Sequence, residues 1–258
     1  MKLVGSVVGD VILKGKKQYW GRPNMHYHNG MRAGENTLNA LLARLVVRNL
    51  ARNRLYSPQA FIKDYVAFMT SPDSHNDTYA ESYHIDFFAN YASGVPPMQC
   101  AGKESHDAAS MGGLVLVSPV VLFTYATTKN RMSAAEAGMT QIRLTHRSVK
   151  LDQYAAIYIG CLVDILCGVS VLEATQYAGV SSISVSRQIC LNAYSTGSKI
   201  GIDFTQLVAR SYSDRDVCGG MFGLACHMEH SLPVLLFLAH KVRFASWFLA
   251  HDDGASTN

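Results

Sequence analysis

Carboxylates flank apolar runs at four glycine-containing turns, and these are the places where this chain could do chemistry. Gly9-Asp10 interrupts the first apolar run, and Glu35-Asn36-Thr37 opens a leucine-rich stretch. His106-Asp107 leads through Ala-Ala-Ser-Met into Gly112-Gly113, and Asp252-Asp253-Gly254 follows the last apolar run. A carboxylate at a helix start is favoured by the helix dipole whatever its function, so four such turns can be four caps. Brought together in space, the same residues would offer the carboxylates, hydroxyls and carbonyls that a hard cation such as Mg²⁺ requires.

Other constellations point to structure. His26-Tyr27-His28 sets two imidazoles two residues apart, but with no carboxylate or further histidine beside them the segment is read as a loop. "CGGMFGLACHMEH" holds Cys218, Cys226, His227 and His230. It lacks the C-x-x-C pair of a zinc site, and Met221, Phe222 and Leu224 read as core. Asp86 and Asp164 lie in apolar helices and are expected to be hydrogen-bonded structural acids. There is no G-x-S-x-G elbow, no P-loop and no G-x-G-x-x-G after a strand.

The elements that must position these turns are helical. Leu38, Leu41, Leu42, Leu45, Val46 and Leu50 recur at three- and four-residue spacing. Ser57-Pro58 supplies an N-cap and a first-turn proline for a helix from Ala60 to Met69. Tyr79, Tyr83, Phe87 and Tyr91 repeat every fourth residue and read as a core stripe. Ser133 with Glu136, and Ser170 with Glu173, have the spacing of capping boxes. Val120–Thr127, Leu151–Gly168 and Leu232–Phe248 complete the expected helices. "VSSISVS" (Val180–Ser186) alternates like a strand but has nothing nearby to pair with. The expectation is an all-α protein, a compact multi-helix bundle in one domain, residues 1–258, with Leu38, Leu41, Leu45, Tyr83, Phe87, Ile157 and Leu166 in its core.

Composition agrees. Over 258 residues, 48% hydrophobic and 16% charged content is far from the profile of disorder. The net charge of +4 is mild and its 23 Lys and Arg are scattered, which argues against nucleic acid as a partner. Six cysteines, mostly within apolar runs, read as free buried thiols of a reducing, cytoplasmic compartment. Asp10 breaks the first apolar run too early for a secretory signal. Asp164 sits at the centre of the most membrane-like stretch, where it would cost roughly 2.5 to 3.5 kcal/mol, so no membrane span is expected.

The order of "GSVVGDVILKGKKQYW", "HNGMRAGENTLNALL", "HDAASMGGLVLVSP", "EHSLPVLLFLAHK" and "ASWFLAHDDGAS" resembles the ADP-ribosylglycohydrolase superfamily. The nearest branch is that of the J-class lens crystallins of jellyfish and the related selenoprotein J. The resemblance spans nearly the whole chain and implies an all-α bundle. In the enzymes of that superfamily an early Asp-Asp-Thr turn and a late Gly-Gly-Asp-Thr-Asp turn hold two magnesium ions, which orient ADP-ribose and an attacking water.

Carried onto this sequence, the implied metal residues are Glu35, Asn36 and Thr37 early, and Asp252, Asp253 and Ser256 late. His106, Asp107, Gly112 and Gly113 are the implied ligand-binding residues. Asn36 and Ser256 are neutral where the pattern has carboxylates, and the expectation is a domain without the final helix that follows the late turn in that superfamily. The expectation is a non-catalytic or weakly active protein with a structural role, crystallin-like or within an assembly with protein partners. The alternative is a Mg-dependent ADP-ribosyl hydrolase, or a binder of ADP-ribose or an ADP-ribosylated protein.

Overall fold

Serine, asparagine and proline at the helix starts, with apolar residues three and four apart behind them, build this fold. The computed structural model describes residues 12–13, 23–24, 26, 28–105, 108–191, 203–210 and 212–252, leaving the side chains of 187–191 and 244–252 outside the description. Helix accounts for 69% of the structure and strand for 1%, with no sheet, so the all-α expectation holds. The described helices are α1 (Leu38–Asn53), α2 (Pro58–Thr70), α3 (Ser82–Ala92), α4 (Gly112–Val115), α5 (Val117–Thr128) and α6 (Arg131–Arg143). They continue with α7 (Val149–Leu166), α8 (Val171–Leu191), α9 (Phe204–Ala209), a π-helix (Arg215–Phe222) and α10 (Met228–Asp252). The chain divides into two compact units, residues 1–152 and 153–258.

In the first unit, α1 buries Leu38, Leu42, Val46 and Leu50. Leu41 and Leu45 flank that stripe and are half-buried, so the core face of α1 is turned slightly from the one the spacing predicts. Ser57 caps α2 as expected, its Oγ accepting the Ala60 N–H at 3.2 Å ahead of Pro58. Phe61, Tyr65, Phe87 and Phe88 pack as a buried aromatic centre, with Tyr65 ring centroids 5.0 to 5.9 Å from the other three. Those separations are the favoured range for aromatic pairs.

The four-residue stripe is only half core. Tyr79 precedes α3, and Tyr91 lies at its exposed end; Tyr83 and Phe87 are the buried members. The cap of α6 also moves: Asn130 Oδ1 accepts the Ser133 N–H at 3.0 Å, placing Ser133 inside the first turn. Asparagine is as good an N-cap as serine, and the one that directly precedes the turn takes the role.

The second unit pairs α8 with α10. Ser170 caps α8, its Oγ accepting the Glu173 N–H at 3.2 Å. The alternating Val180–Ser186 stretch is helical within α8. Its serines return their hydroxyls to the backbone, Ser181 to Tyr177 O, Ser184 to Val180 O and Ser186 to Ser182 O. This back-bonding gives each hydroxyl a partner within the helix. Pro233 sits within α10 and cannot donate to the Glu229 carbonyl. Ser186 Oγ lies 3.3 Å from that carbonyl and shares its one proton between it and Ser182 O, tying α8 to α10 at the gap. Phe204, from α9, packs against Phe222, Phe237 and His240 at centroid distances of 5.7 to 6.1 Å.

Ile157 and Leu166 are half-buried rather than core. Of the five cysteines whose side chains are described, all free, Cys100, Cys161 and Cys218 are buried while Cys167 and Cys226 are exposed. Burial raises the Cys161 thiol to about 11, and Asp164 adds to the shift. Among the described residues no helix is long and apolar enough to cross a membrane.

Truncating Phe87 to alanine should destabilise the first unit by about 3–5 kcal/mol, the range for a large buried aromatic. Ser57→Ala should cost only about 1 kcal/mol, as the loss of one cap. Urea midpoints of the two variants should therefore separate clearly, and equal shifts would contradict the packing around Phe87.

Candidate functional site

The head of α1 starts from a tight turn. Gly34 takes the left-handed conformation (φ +85°), and Glu35 N–H donates to Arg32 O at 3.1 Å. The Glu35 carboxylate closes the same turn, Oε2 accepting Arg32 N–H and Oε1 accepting Asn76 Nδ2, each at 2.8 Å. Asn36 is exposed and Thr37 half-buried.

Thr37 occupies the N-cap position, but its hydroxyl makes no capping bond. The cap comes from 39 residues downstream: Asp77 Oδ2 accepts the Leu38 N–H at 2.7 Å. Asp77 Oδ1 accepts the Tyr79 N–H at 3.0 Å and lies 2.7 Å from His28 Nδ1. Asp77 is 1% exposed, and an ionised carboxylate at that depth needs such donors to offset desolvation. Because a carboxylate only accepts, the shared proton resides on His28 Nδ1.

A second network begins one residue further along α1. Asn39 Nδ2 donates to Glu81 Oε1, Asn39 Oδ1 accepts from the Tyr83 hydroxyl at 3.1 Å, and Ser110 donates to Glu81 Oε2 at 2.8 Å. Gly112 belongs here for a steric reason. A Cβ at that position would come within 2.6 Å of Glu81 Oε1. At Gly113 it would come within 2.8 Å of Leu151 Cδ2. The glycine pair therefore lets α4 approach side chains of its own unit, and Glu81 fills the space beside Gly112.

Beneath these networks lies a buried imidazole–phenol layer. The Tyr83 ring centroid is 3.9 Å from the centroids of both His84 and His146. Tyr65 hydroxyl and His84 Nδ1 are 2.6 Å apart, and Thr145 Oγ1 and His146 Nδ1 are 2.9 Å apart. The Nε2 atoms of both histidines are buried without a hydrogen-bond partner. Burial keeps both imidazoles neutral: it pushes His84 well below the usual histidine range, with His146 adding to the effect, and it lowers His146 to about 3. Burial also raises the Tyr65 and Tyr83 hydroxyls well above their usual range.

Of the residues implied by the sequence, Glu35, Asn36 and Thr37 stand together at the head of α1, Gly112 lies against Glu81, and Gly113 lies against Leu151. His106 and Asp107 lie outside the described residues, as do Asp253 and Ser256; Asp252 ends α10 with its side chain outside the description. Asp77, Glu81, Asn76, Asn39, His28, His84 and His146 were not anticipated. For Asn76, Asp77, Glu81 and His84 the signal is "SHNDTYAESYH", which carries two carboxylates four apart between a turn and a helix, whereas Asn39 and His146 carry none and His28 reads as part of a loop.

As a cation site, the described turn offers one carboxylate, already accepting two hydrogen bonds, together with the Thr37 hydroxyl and the Asn36 amide. A second ion would need carboxylates from residues outside the description. Among the described residues, no group of three or more His, Cys, Asp or Glu is arranged to hold a metal. No protein-family model matches the chain, and no curated protein matches it.

Two outcomes follow from this geometry. Asp77→Ala should cost about 3 kcal/mol or more, because it removes the α1 cap and strands His28 beside a buried gap. Acid should also weaken the first unit. In the unfolded chain His84 and His146 protonate near pH 6.5, while in the folded chain they stay neutral to far lower pH. Stability is thus unaffected by them above about pH 6.5 and falls progressively below it. Urea titrations between pH 7 and pH 4 should show this decline, and a His146→Gln variant should flatten it (pH values on the order of the histidine range).

Proposed function

We propose that this protein is a non-catalytic or weakly active ADP-ribosylglycohydrolase-fold protein with a structural role, crystallin-like or as a component of a larger assembly. The observation that carries this reading is that the carboxylates at the head of α1 serve the chain itself. Glu35 closes its own turn and receives Asn76, and Asp77 caps α1 and holds His28. Asn36, exposed and neutral, takes a position where the resemblance implies a carboxylate. Two divalent ions about 4 Å apart repel by about 16 kcal/mol at an effective dielectric near 20, so a dinuclear site depends on dense negative charge. A turn with one free-standing acid fewer holds such a pair much less well.

One observation favours a second reading, a Mg-dependent ADP-ribose binder or hydrolase. The Thr37 hydroxyl stands at the N-cap of α1 without capping it, and so keeps an oxygen for another partner.

Thermal unfolding with millimolar Mg²⁺ and ADP-ribose separates the two readings, because a ligand that binds only the folded state raises Tm by mass action. We expect no shift with either, and no release of ADP-ribose from a mono-ADP-ribosylated peptide in excess Mg²⁺. Mg²⁺-dependent turnover by the wild-type protein would overturn the structural reading. Asn36→Asp should tighten whatever weak Mg²⁺ binding calorimetry detects, since the added carboxylate offsets cation charge.

A further inference from the structure

The outer side of α1 carries Arg44, Arg48 and Arg52 at four-residue spacing, which stacks three like charges one turn apart. Among the described residues only Arg52 of the three is paired, its guanidinium 2.5 Å from Asp64 on α2. Asp64 is itself fixed by Asn49, a buried side chain whose Nδ2 donates to Asp64 Oδ2 at 2.6 Å. Arg52 is thus held in place from beneath, whereas Arg48 makes no hydrogen bond or ion pair among the described residues.

Between these arginines and α2 runs a groove of about 330 Å³. Leu45 and Phe68 supply apolar lining, and Ser74 also lines it, with a hydroxyl that has no hydrogen bond among the described residues. The volume is at the lower end of small-molecule sites, which span roughly 300–1,000 Å³ and combine apolar walls with a few convergent polar groups. Two arginines against one aspartate leave the groove with a net positive charge. An oriented guanidinium beside a second, unpaired one is a suitable receptor for a tetrahedral oxyanion, through paired N–H donors.

We infer that the α1–α2 groove binds a small phosphate monoester carrying a compact apolar body. Arg48 and Arg52 take the phosphate, Ser74 adds a donor, and Phe68 with Leu45 covers the apolar part. The groove lies wholly within the first unit, and it is independent of any metal at Glu35.

Phenyl phosphate is the probe, titrated into the whole chain by calorimetry at mildly alkaline pH, with inorganic phosphate and phenol as comparison ligands. Saturable binding of phenyl phosphate is expected, stronger than that of inorganic phosphate, with phenol failing to bind. Arg48→Gln, which breaks no hydrogen bond or ion pair among the described residues, should weaken phenyl phosphate by about tenfold, the scale of one lost charged hydrogen bond. Phe68→Leu should leave inorganic phosphate unchanged and reduce the preference for the aromatic ester. Absence of saturable binding by phenyl phosphate would overturn the proposal, and so would binding unaffected by Arg48→Gln or matched by phenol. Thermal unfolding of Arg48→Gln without ligand, expected to match wild type within about 0.5 kcal/mol, shows that lost binding is not lost folding, and the unchanged affinity of Phe68→Leu for inorganic phosphate is the same control for that variant.

Discussion

The buried Asp77 carboxylate is the contact around which the first unit is arranged. Burying a charge is costly unless its oxygens are fully used, and here three donors converge on them: Leu38 N–H, Tyr79 N–H and His28 Nδ1–H. Each donor ties a different stretch to the carboxylate. Leu38 is the first residue of α1, Tyr79 lies in the approach to α3, and His28 belongs to the segment before the Glu35 turn. One acid thereby sets where α1 begins and how the preceding chain lies against it. Asn76, its neighbour, adds the bond to Glu35 and fixes the turn in the same operation.

That arrangement explains why Thr37 does not cap its own helix. A local threonine hydroxyl and a distant carboxylate can both accept an exposed helix N–H, but the carboxylate also gains from the positive end of the helix dipole. The charged acceptor wins, and the hydroxyl is left over. The same preference for long-range partners recurs at Asn39, whose amide links Tyr83 and Glu81 of α3's N-terminal region to α1. Glu81 then needs a neighbour without a Cβ, which accounts for Gly112 without invoking a ligand.

Periodicity made the helices legible because it reports burial, and burial is what most of these residues do. Leu42, Val46, Tyr83 and Phe87 follow from spacing alone, and Ser57 and Ser170 from local capping chemistry. Spacing could not resolve the flanks: Leu41, Leu45, Ile157 and Leu166 lie at the edges of their stripes, where a small rotation of the helix decides exposure. The Glu35 turn and the Gly112-Gly113 pair were recognisable as local patterns. The Asp77 network was not, since its bonds join residues 39 and 49 positions apart and no local rule encodes such distances. His28 illustrates the point: in sequence it has no carboxylate beside it, and in the fold it has one at 2.7 Å.

Satisfied and unsatisfied polar groups are unevenly distributed in the first unit. The acids at the head of α1 have their oxygens occupied, while the deeper layer leaves two imidazole nitrogens, His84 Nε2 and His146 Nε2, without partners. An apolar pair of similar shape would avoid that cost, so the histidines must contribute something an apolar pair would not. Part of it is visible in their other nitrogens, which anchor Tyr65 and Thr145, and in the Tyr83 ring packed at a tilt against both. Tyr83 in turn donates to Asn39 and so holds the Glu81 network above. The layer therefore transmits its packing upward: the neutral imidazoles position the phenol, the phenol positions the amide, and the amide positions the carboxylate beside Gly112. In acid the weak member of this chain is the imidazole layer, because burial disfavours a proton on either ring and a charge on His146 further disfavours one on His84.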